Sequence, residues 1–175
     1  IDATTTAHRR VPWFVNVHSD CRGSVTFAFF PRHGGREQGL EGAPEQDGLL
    51  DACDRLGIAF IPLFPLASGL LTGKYRLNRE APAESRLARG WGSDRLNDEN
   101  LEMVERLIAF AASRGRTILE LAFSWLVARP QVASVIAGAT KPEQVRAHAG
   151  AAGWRLTDEE LDTVAAALDD QLQRQ

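Results

Sequence analysis

The chain is poor in the residues that most often carry chemistry. Among its 175 residues there are two cysteines, one tyrosine, two lysines and four histidines. Cys21 and Cys53 show neither the pairing density of a secreted scaffold nor metal-ligand spacing, so a reducing cytoplasmic compartment is expected. His8, His18, His33 and His148 are scattered and form no H-E-x-x-H or similar cluster, so no metal site is expected. The longest weakly polar run, residues 57–71, is broken by Pro62, Pro65 and Gly69. That fails as a membrane span and suits a buried strand followed by a loop. A net charge of −3 gives no broad basic field, and no polybasic block adjoins an amphipathic helix. Neither nucleic acid nor membrane is therefore expected as a partner. No signal peptide is read, and a chain that starts at Ile1 rather than methionine reads as a cut end.

What is present is ordinary for a globular domain with a core: 44% hydrophobic and 25% charged residues. From Leu49 onward short apolar strands alternate with amphipathic helices, the pattern of β/α units around a parallel sheet. Leu49, Leu50, Cys53 and Leu56 share one face of a helix that Gly57 ends. Residues 58–64 then form a nearly continuous apolar strand, as expected where both faces are covered. Asn97 caps a helix whose Leu101, Val104, Ile108 and Ala111 recur at helical spacing, and Gly115 closes it. Thr117 with Glu120 is a capping box for a helix that turns Leu121, Trp125 and Leu126 inward until Pro130 stops it. A last box, Thr157 with Glu160, heads a helix using Leu161, Val164 and Leu168.

The first 48 residues differ. Residues 13–17 read as a strand, but residues 19–48 mix polar residues, the Gly34-Gly35 pair and an isolated apolar cluster at 27–30 without sustained periodicity. An aperiodic stretch of that length is unusual inside a compact domain. The expected division is an irregular segment over 1–48 and an α/β unit over 49–175.

Residues 134–145, SVIAGATKPEQV, join a buried strand carrying Val132, Val135 and Ile136 to a helix. Gly138 and Ala139 let the backbone approach a ligand. Thr140 followed by Glu143 reads as a capping box, with Pro142 in the first turn, where its missing N–H costs nothing. Such a tip presents N–H groups and the positive end of the macrodipole, and Lys141 and Arg146 add charge beside it. A phosphate-bearing cofactor would suit it. An ordinary strand-to-helix turn with a good cap fits these residues equally well.

In order along the chain stand FIPLFPLASGLLTGKY, then SRLA, then ELAFSWLVARPQVASVIAGATKPEQV. This series resembles the C-terminal half of an aldo-keto reductase from about Leu49 to about Leu168. The resemblance implies the C-terminal half of a (β/α)8 TIM barrel, with its ligand at the C-terminal ends of the strands. It also implies NADP as cofactor. Pro65, Leu66, Ala67, Ser68, Gly69, Leu70, Gly73 and Lys74 would line the pyrophosphate and nicotinamide-ribose path, although core packing alone also accounts for Leu66, Leu70 and Leu71. Arg86 would close over the cofactor, and Gly138, Thr140, Lys141 and Gln144 would cradle the adenosine 2′-phosphate and ribose. His148 stands where the family commonly has an adenine-contacting asparagine, and can still donate one hydrogen bond. His18 falls near the family's carboxamide-binding glutamine, where a structural histidine is the more common occurrence. After Asp20 the family's segment is replaced by the aperiodic stretch. A frame shift is one reading of it, and re-sequencing the coding DNA tests that.

Members of this family pass hydride to a carbonyl while a tyrosine protonates the oxygen, assisted by a lysine, an aspartate and usually a histidine. The chemistry needs a proton donor and fixed positive charge beside a developing alkoxide. All four groups lie in the N-terminal half of the family's barrel. Here Tyr75, Lys74 and Lys141 all sit in cofactor motifs, and neighbours in a loop such as Lys74 and Tyr75 normally point apart. No catalytic residue is assigned. The expectation is a partial NADP-dependent aldo/keto oxidoreductase, inactive alone and reducing a small carbonyl only when the missing half is supplied. The alternatives are a non-catalytic remnant binding at most a nucleotide or a partner, with open sheet edges prone to association, and a plain α/β domain should the motif series be coincidence. Trp91 is a candidate for a substrate-pocket wall.

Overall fold

The computed structural model describes residues 14–16, 27–29, 48–62, 64–90 and 93–172. The expectations for His8, His18, His33, Cys21, Gly34-Gly35 and Trp91 lie outside those residues. Strand β1, Phe14–Asn16, pairs antiparallel with β2, Phe27–Phe29, in the register Phe14↔Phe29, Val15↔Ala28 and Asn16↔Phe27. The apolar cluster that begins at Phe27 thus supplies a strand, one too short for alternation to reveal.

Among the described residues five helices follow: α1 Leu49–Leu56, α2 Asp98–Ser113, α3 Ile118–Val127, α4 Pro142–Ala151 and α5 Asp158–Leu172. The starts of α2, α3 and α5 are set by local hydrogen bonds, as the sequence predicts. Asn97 Oδ1 accepts from the Asn100 N–H at 2.8 Å. Thr117 and Glu120 form the full capping box of α3. The Thr157 N–H donates to Glu160 at 3.0 Å, and the Glu160 N–H donates back to Thr157 Oγ1 at 3.3 Å. Gly57 and Gly115 take left-handed φ values of 62° and 67° at the ends of α1 and α2, where a side chain would be strained.

The main core lies where α2, α3 and α5 meet the 3-10 turn Ala67–Thr72. Val104 and Ala111 face it as expected, while Leu101 and Ile108 lie on its flank. Met103 and Leu107 complete the buried face of α2 instead. Around the rim, Arg114 donates to Glu160 at 2.8 Å and stacks on Phe110, whose ring lies against Trp154. A satellite cluster joins Leu50 and Cys53 of α1 to Phe60, and burial pushes the Cys53 thiol up, away from the reactive thiolate.

The expected strands at 58–64 and 132–136 meet at one parallel bridge, Phe60↔Val132. The Phe60 N–H donates to Gln131 O at 2.7 Å, and the Ala133 N–H donates to Phe60 O at 3.0 Å. The parallel sense is that of adjacent β/α units. Regular pairing stops there, and the expected burial of 132–136 is not found: Ala133 and Ser134 are exposed, and Ile136 is 60% exposed. A barrel strand needs partners on both edges and cover on both faces. Among the described residues this one has a single flank.

Three carboxylates sit below their ordinary value of 4.5. Glu105 does so because it accepts from Arg76, Glu120 because it accepts from the Thr117 N–H, and Glu160 because it accepts from the Thr157 N–H and then from Arg114. A carboxylate depressed in the folded state contributes stability that is present above its unfolded value and lost as pH falls through its folded value. The thermal midpoint should therefore hold between about pH 7 and 5 and drop below about 4.5. In Glu160→Gln that acid limb should be shallower, as followed by circular dichroism.

Candidate functional site

The loop at residues 64–75 is the least relaxed backbone described. Phe64, Ala67 and Ser68 take positive φ values of 53°, 46° and 56°, followed by Gly69 at 99° and Gly73 at 80°. Each non-glycine residue there costs on the order of 1 kcal/mol, so the surroundings must fix the conformation. They do so from below. Leu66, Ala67, Leu70 and Leu71 enter the main core, with Ala67 and Leu70 0% exposed. Ala67 donates to Phe64 O, Gly69 donates to Leu66 O, and Thr72 Oγ1 donates to Gly69 O at 2.7 Å. The side chains of Leu66, Ala67 and Leu70 therefore belong to the core. What those positions can present to a ligand is backbone.

Two glycines of this loop are favoured by their positive φ and stand close to neighbouring side chains. A Cβ at Gly69 would lie 2.8 Å from Lys74 Nζ, and one at Gly73 would lie 3.3 Å from Ile118 Cγ2. Lys74 is not turned away from Tyr75: the side chain folds back so that Nζ stands 4.9 Å from the centre of the ring. Tyr75 itself is buried, and its hydroxyl accepts from the Leu87 N–H at 3.2 Å. That bond draws the SRLA turn onto the loop. Arg86 projects from the turn into solvent between the buried Ser85 and Leu87. Further along, Arg76 clamps Glu105 of α2 through two bonds of 2.7 Å, with the Leu77 N–H donating to the same carboxylate at 3.1 Å.

The second segment begins at the tip of α4. Its cap is not the expected Thr140–Glu143 pair. Lys141 is the N-cap, with extended backbone at φ −139° and ψ 146°, and the partner three residues on is Gln144. Pro142 explains the shift, because a proline forces the residue before it out of the helical region while itself serving as the first helical residue. Gln144 Oε1 accepts from the Thr140 N–H at 2.7 Å, from Thr140 Oγ1 at 3.2 Å and from the Lys141 N–H at 3.2 Å. Three donors thus converge on one neutral oxygen at an exposed helix start. Gly138, Thr140, Lys141 and Arg146 are all exposed, whereas His148 is half-buried and its ring lies 5.7 Å from that of Phe123.

Helix α3 links the two segments. It packs against both the 67–72 turn and α4, with Ile118 standing where a side chain at Gly73 would reach and the Phe123 ring against His148. Arg86 is joined to the first segment through Tyr75. The chemistry of the donor set fits a polyphosphate nucleotide. Lys74, Arg86, Lys141 and Arg146 face solvent with no ion pair among the described residues, and a glycine admits backbone approach beside one of them. Sequence reasoning missed the tether from Tyr75 to Leu87, for which no local signal exists. It also missed Gln144 as the cap, which the proline would have indicated.

The chain has relatives among known proteins. The family model described as the aldo/keto reductase family matches residues 43–169. An L-glyceraldehyde 3-phosphate reductase of Escherichia coli O157:H7 is 38% identical over 107 residues, covering 58% of this chain and 30% of that protein. An NADH-specific methylglyoxal reductase of Escherichia coli K12 is 32% identical over 120 residues, covering 68% of this chain and 36% of that protein. Among solved structures, a glycerol dehydrogenase from Gluconobacter oxydans superposes with a TM-score of 0.57 at 28% identity, over 75% of this chain and 39% of that one. The chain spans about a third of the length of the curated relatives it matches.

Proposed function

Because the chain belongs to the aldo/keto reductase family, we propose that it is the cofactor-binding part of an NADPH-dependent carbonyl oxidoreductase of (β/α)8 barrel architecture, with the proton-donating groups outside it. The observation that carries this reading is the tip of α4. Gln144 Oε1 occupies a point on which three donors converge, and the exposed Lys141 and Arg146 flank it in sequence. A phosphoryl oxygen would accept the same donors more strongly, because charge-assisted hydrogen bonds are about twice as strong as neutral ones. Thr140, Lys141 and Gln144, with Gly138 at the approach, would hold the 2′-phosphate and ribose. The backbone from Pro65 to Leu70, with Ser68, Gly73, Lys74 and Arg86, would hold the pyrophosphate and nicotinamide ribose. His148 would face the adenine.

When bound, the nicotinamide supplies hydride to a small carbonyl compound. The chain's own part is to bind and orient. Tyr75 is the sole tyrosine, and it is sealed in the main core at 1% exposure, so it is not placed to protonate a substrate oxygen. That burial equally favours a second reading, a nucleotide-binding module without catalysis. In-frame coding sequence for an Asp, Tyr, Lys and His set ahead of Ile1 would decide for the enzyme, and a stop codon there for the module.

The test of the cofactor is a fluorescence titration of the purified chain with NADPH and, separately, with NADH. NADPH should bind at least about tenfold more tightly, the worth of one charge-assisted contact to the extra phosphate. Equal affinity for the two would remove the 2′-phosphate assignment.

A further inference from the structure

We infer that Tyr75 is a positioning residue for cofactor binding: its ring face seats the Lys74 ammonium, and its hydroxyl holds the turn that carries Arg86. The inference rests on the reading of Lys74 and Arg86 as cofactor cations.

Tyr75 is 1% exposed in the main core. Burial alone does not ask for a hydroxyl, since phenylalanine would fill the same space without a polar group to satisfy. The hydroxyl oxygen accepts one bond, from the N–H of Leu87, itself 0% exposed. The turn's other hydrogen bonds are local, from Ser85 to Pro82, from Arg89 to Ser85 and from Gly90 to Leu87, together with the exposed Arg89–Glu84 ion pair. Ser85 Oγ is buried without a hydrogen-bond partner, so it does not anchor the turn. Beside the packing of the Leu87 side chain in the core, the bond to Tyr75 is the long-range hydrogen bond of the turn among the described residues. Burial of Ser85 and Leu87 on either side leaves Arg86 facing out, and the tether holds the backbone that carries it.

The other face of the same residue works on Lys74. Its Nζ lies 4.9 Å from the ring centroid, within reach of the attraction between an ammonium and an aromatic face. Gly69 bounds the slot opposite, where any Cβ would come within 2.8 Å of Nζ. One rigid, buried side chain therefore fixes two solvent-facing cations on segments joined by a bond that spans twelve residues. Such pre-organisation suits a ligand whose negative charge is spread over adjoining phosphoryl groups, because the cations need not be ordered when it binds.

The experiment uses the full 175-residue chain and Tyr75→Phe, which keeps the ring and the core. Tryptic cleavage after Arg86 and Arg89 under native conditions should rise about fivefold, the effect of one lost hydrogen bond on local opening. An unchanged cleavage rate would overturn the tether. NADPH titrations of the wild type, Tyr75→Phe, Arg86→Ala and the double variant then read the coupling. Arg86→Ala should weaken binding about tenfold in the wild type and about twofold or less in the Tyr75→Phe background. Equal losses in both backgrounds would mean that Tyr75 is merely structural and overturn this inference alone. A wild-type chain that binds no NADPH would overturn the cofactor reading and this inference with it, and the cleavage arm would still report separately on the tether.

Discussion

Lys141→Ala should lower affinity for NADPH about tenfold while leaving NADH binding within about twofold. Lys141 is exposed, carries its charge beside the α4 tip and has no acidic partner among the described residues. Its removal therefore takes away the proposed phosphate contact without stranding a buried group. The lysine's backbone N–H, which donates to Gln144 at 3.2 Å, is unaffected by the substitution, so the cap and the helix should persist. Paired fluorescence titrations at one ionic strength measure the effect, and raising the salt should shrink the wild-type preference for NADPH. If the variant lost affinity for both nucleotides alike, the lysine would be serving the shared part of the dinucleotide and not the 2′-phosphate.

The second large effect concerns stability. Leu70→Ala should destabilise the ligand-free chain by about 2–5 kcal/mol, the cost of the transfer of a buried leucine plus the cavity it leaves. Leu70 is 0% exposed and stands in the cluster shared with Met103, Val104 and Leu121, beneath a loop whose left-handed residues depend on that packing. Urea unfolding followed by circular dichroism gives the value. A loss below about 1 kcal/mol accompanied by a large drop in NADPH affinity would instead put the side chain in the ligand path, since surface positions seldom exceed about 0.5 kcal/mol.

These two residues mark the difference between what local sequence conveys and what it leaves open. Both fall in motifs that resemble the family's cofactor segments, yet one side chain projects into solvent and the other is sealed in the core. Resemblance identifies the segment, and burial separates the positions that offer a side chain from those that offer only backbone. The tip of α4 is a nearer miss. Thr140 with Glu143 satisfies the spacing of a capping box, but Pro142 imposes extended backbone on Lys141 and moves the cap by one residue. Gln144, singled out as a ligand contact, thereby occupies the converging donors itself.

The strands were legible as apolar runs but not as a sheet. Residues 58–64 and 132–136 have the composition of buried parallel strands, and the direction of the Phe60↔Val132 bridge agrees. Pairing is a property of neighbours distant in the chain, however, and one bridge is all that the described residues provide between these runs.

Helix starts and stops were decided by the sequence alone: Asn97, Thr117 with Glu120, Thr157 with Glu160, Gly57 and Gly115 act through hydrogen bonds and φ values within one turn of themselves. The ordered series of motifs likewise carried the family without any coordinates. Only the tertiary structure decided that Tyr75 binds Leu87 twelve residues away, that Arg76 grips Glu105 across 29 residues, and that α3 packs against both the 67–72 turn and α4. The reason is physical: a cap is satisfied by chain neighbours, whereas a tether or a buried face exists only once distant segments have been brought together and water has been expelled between them.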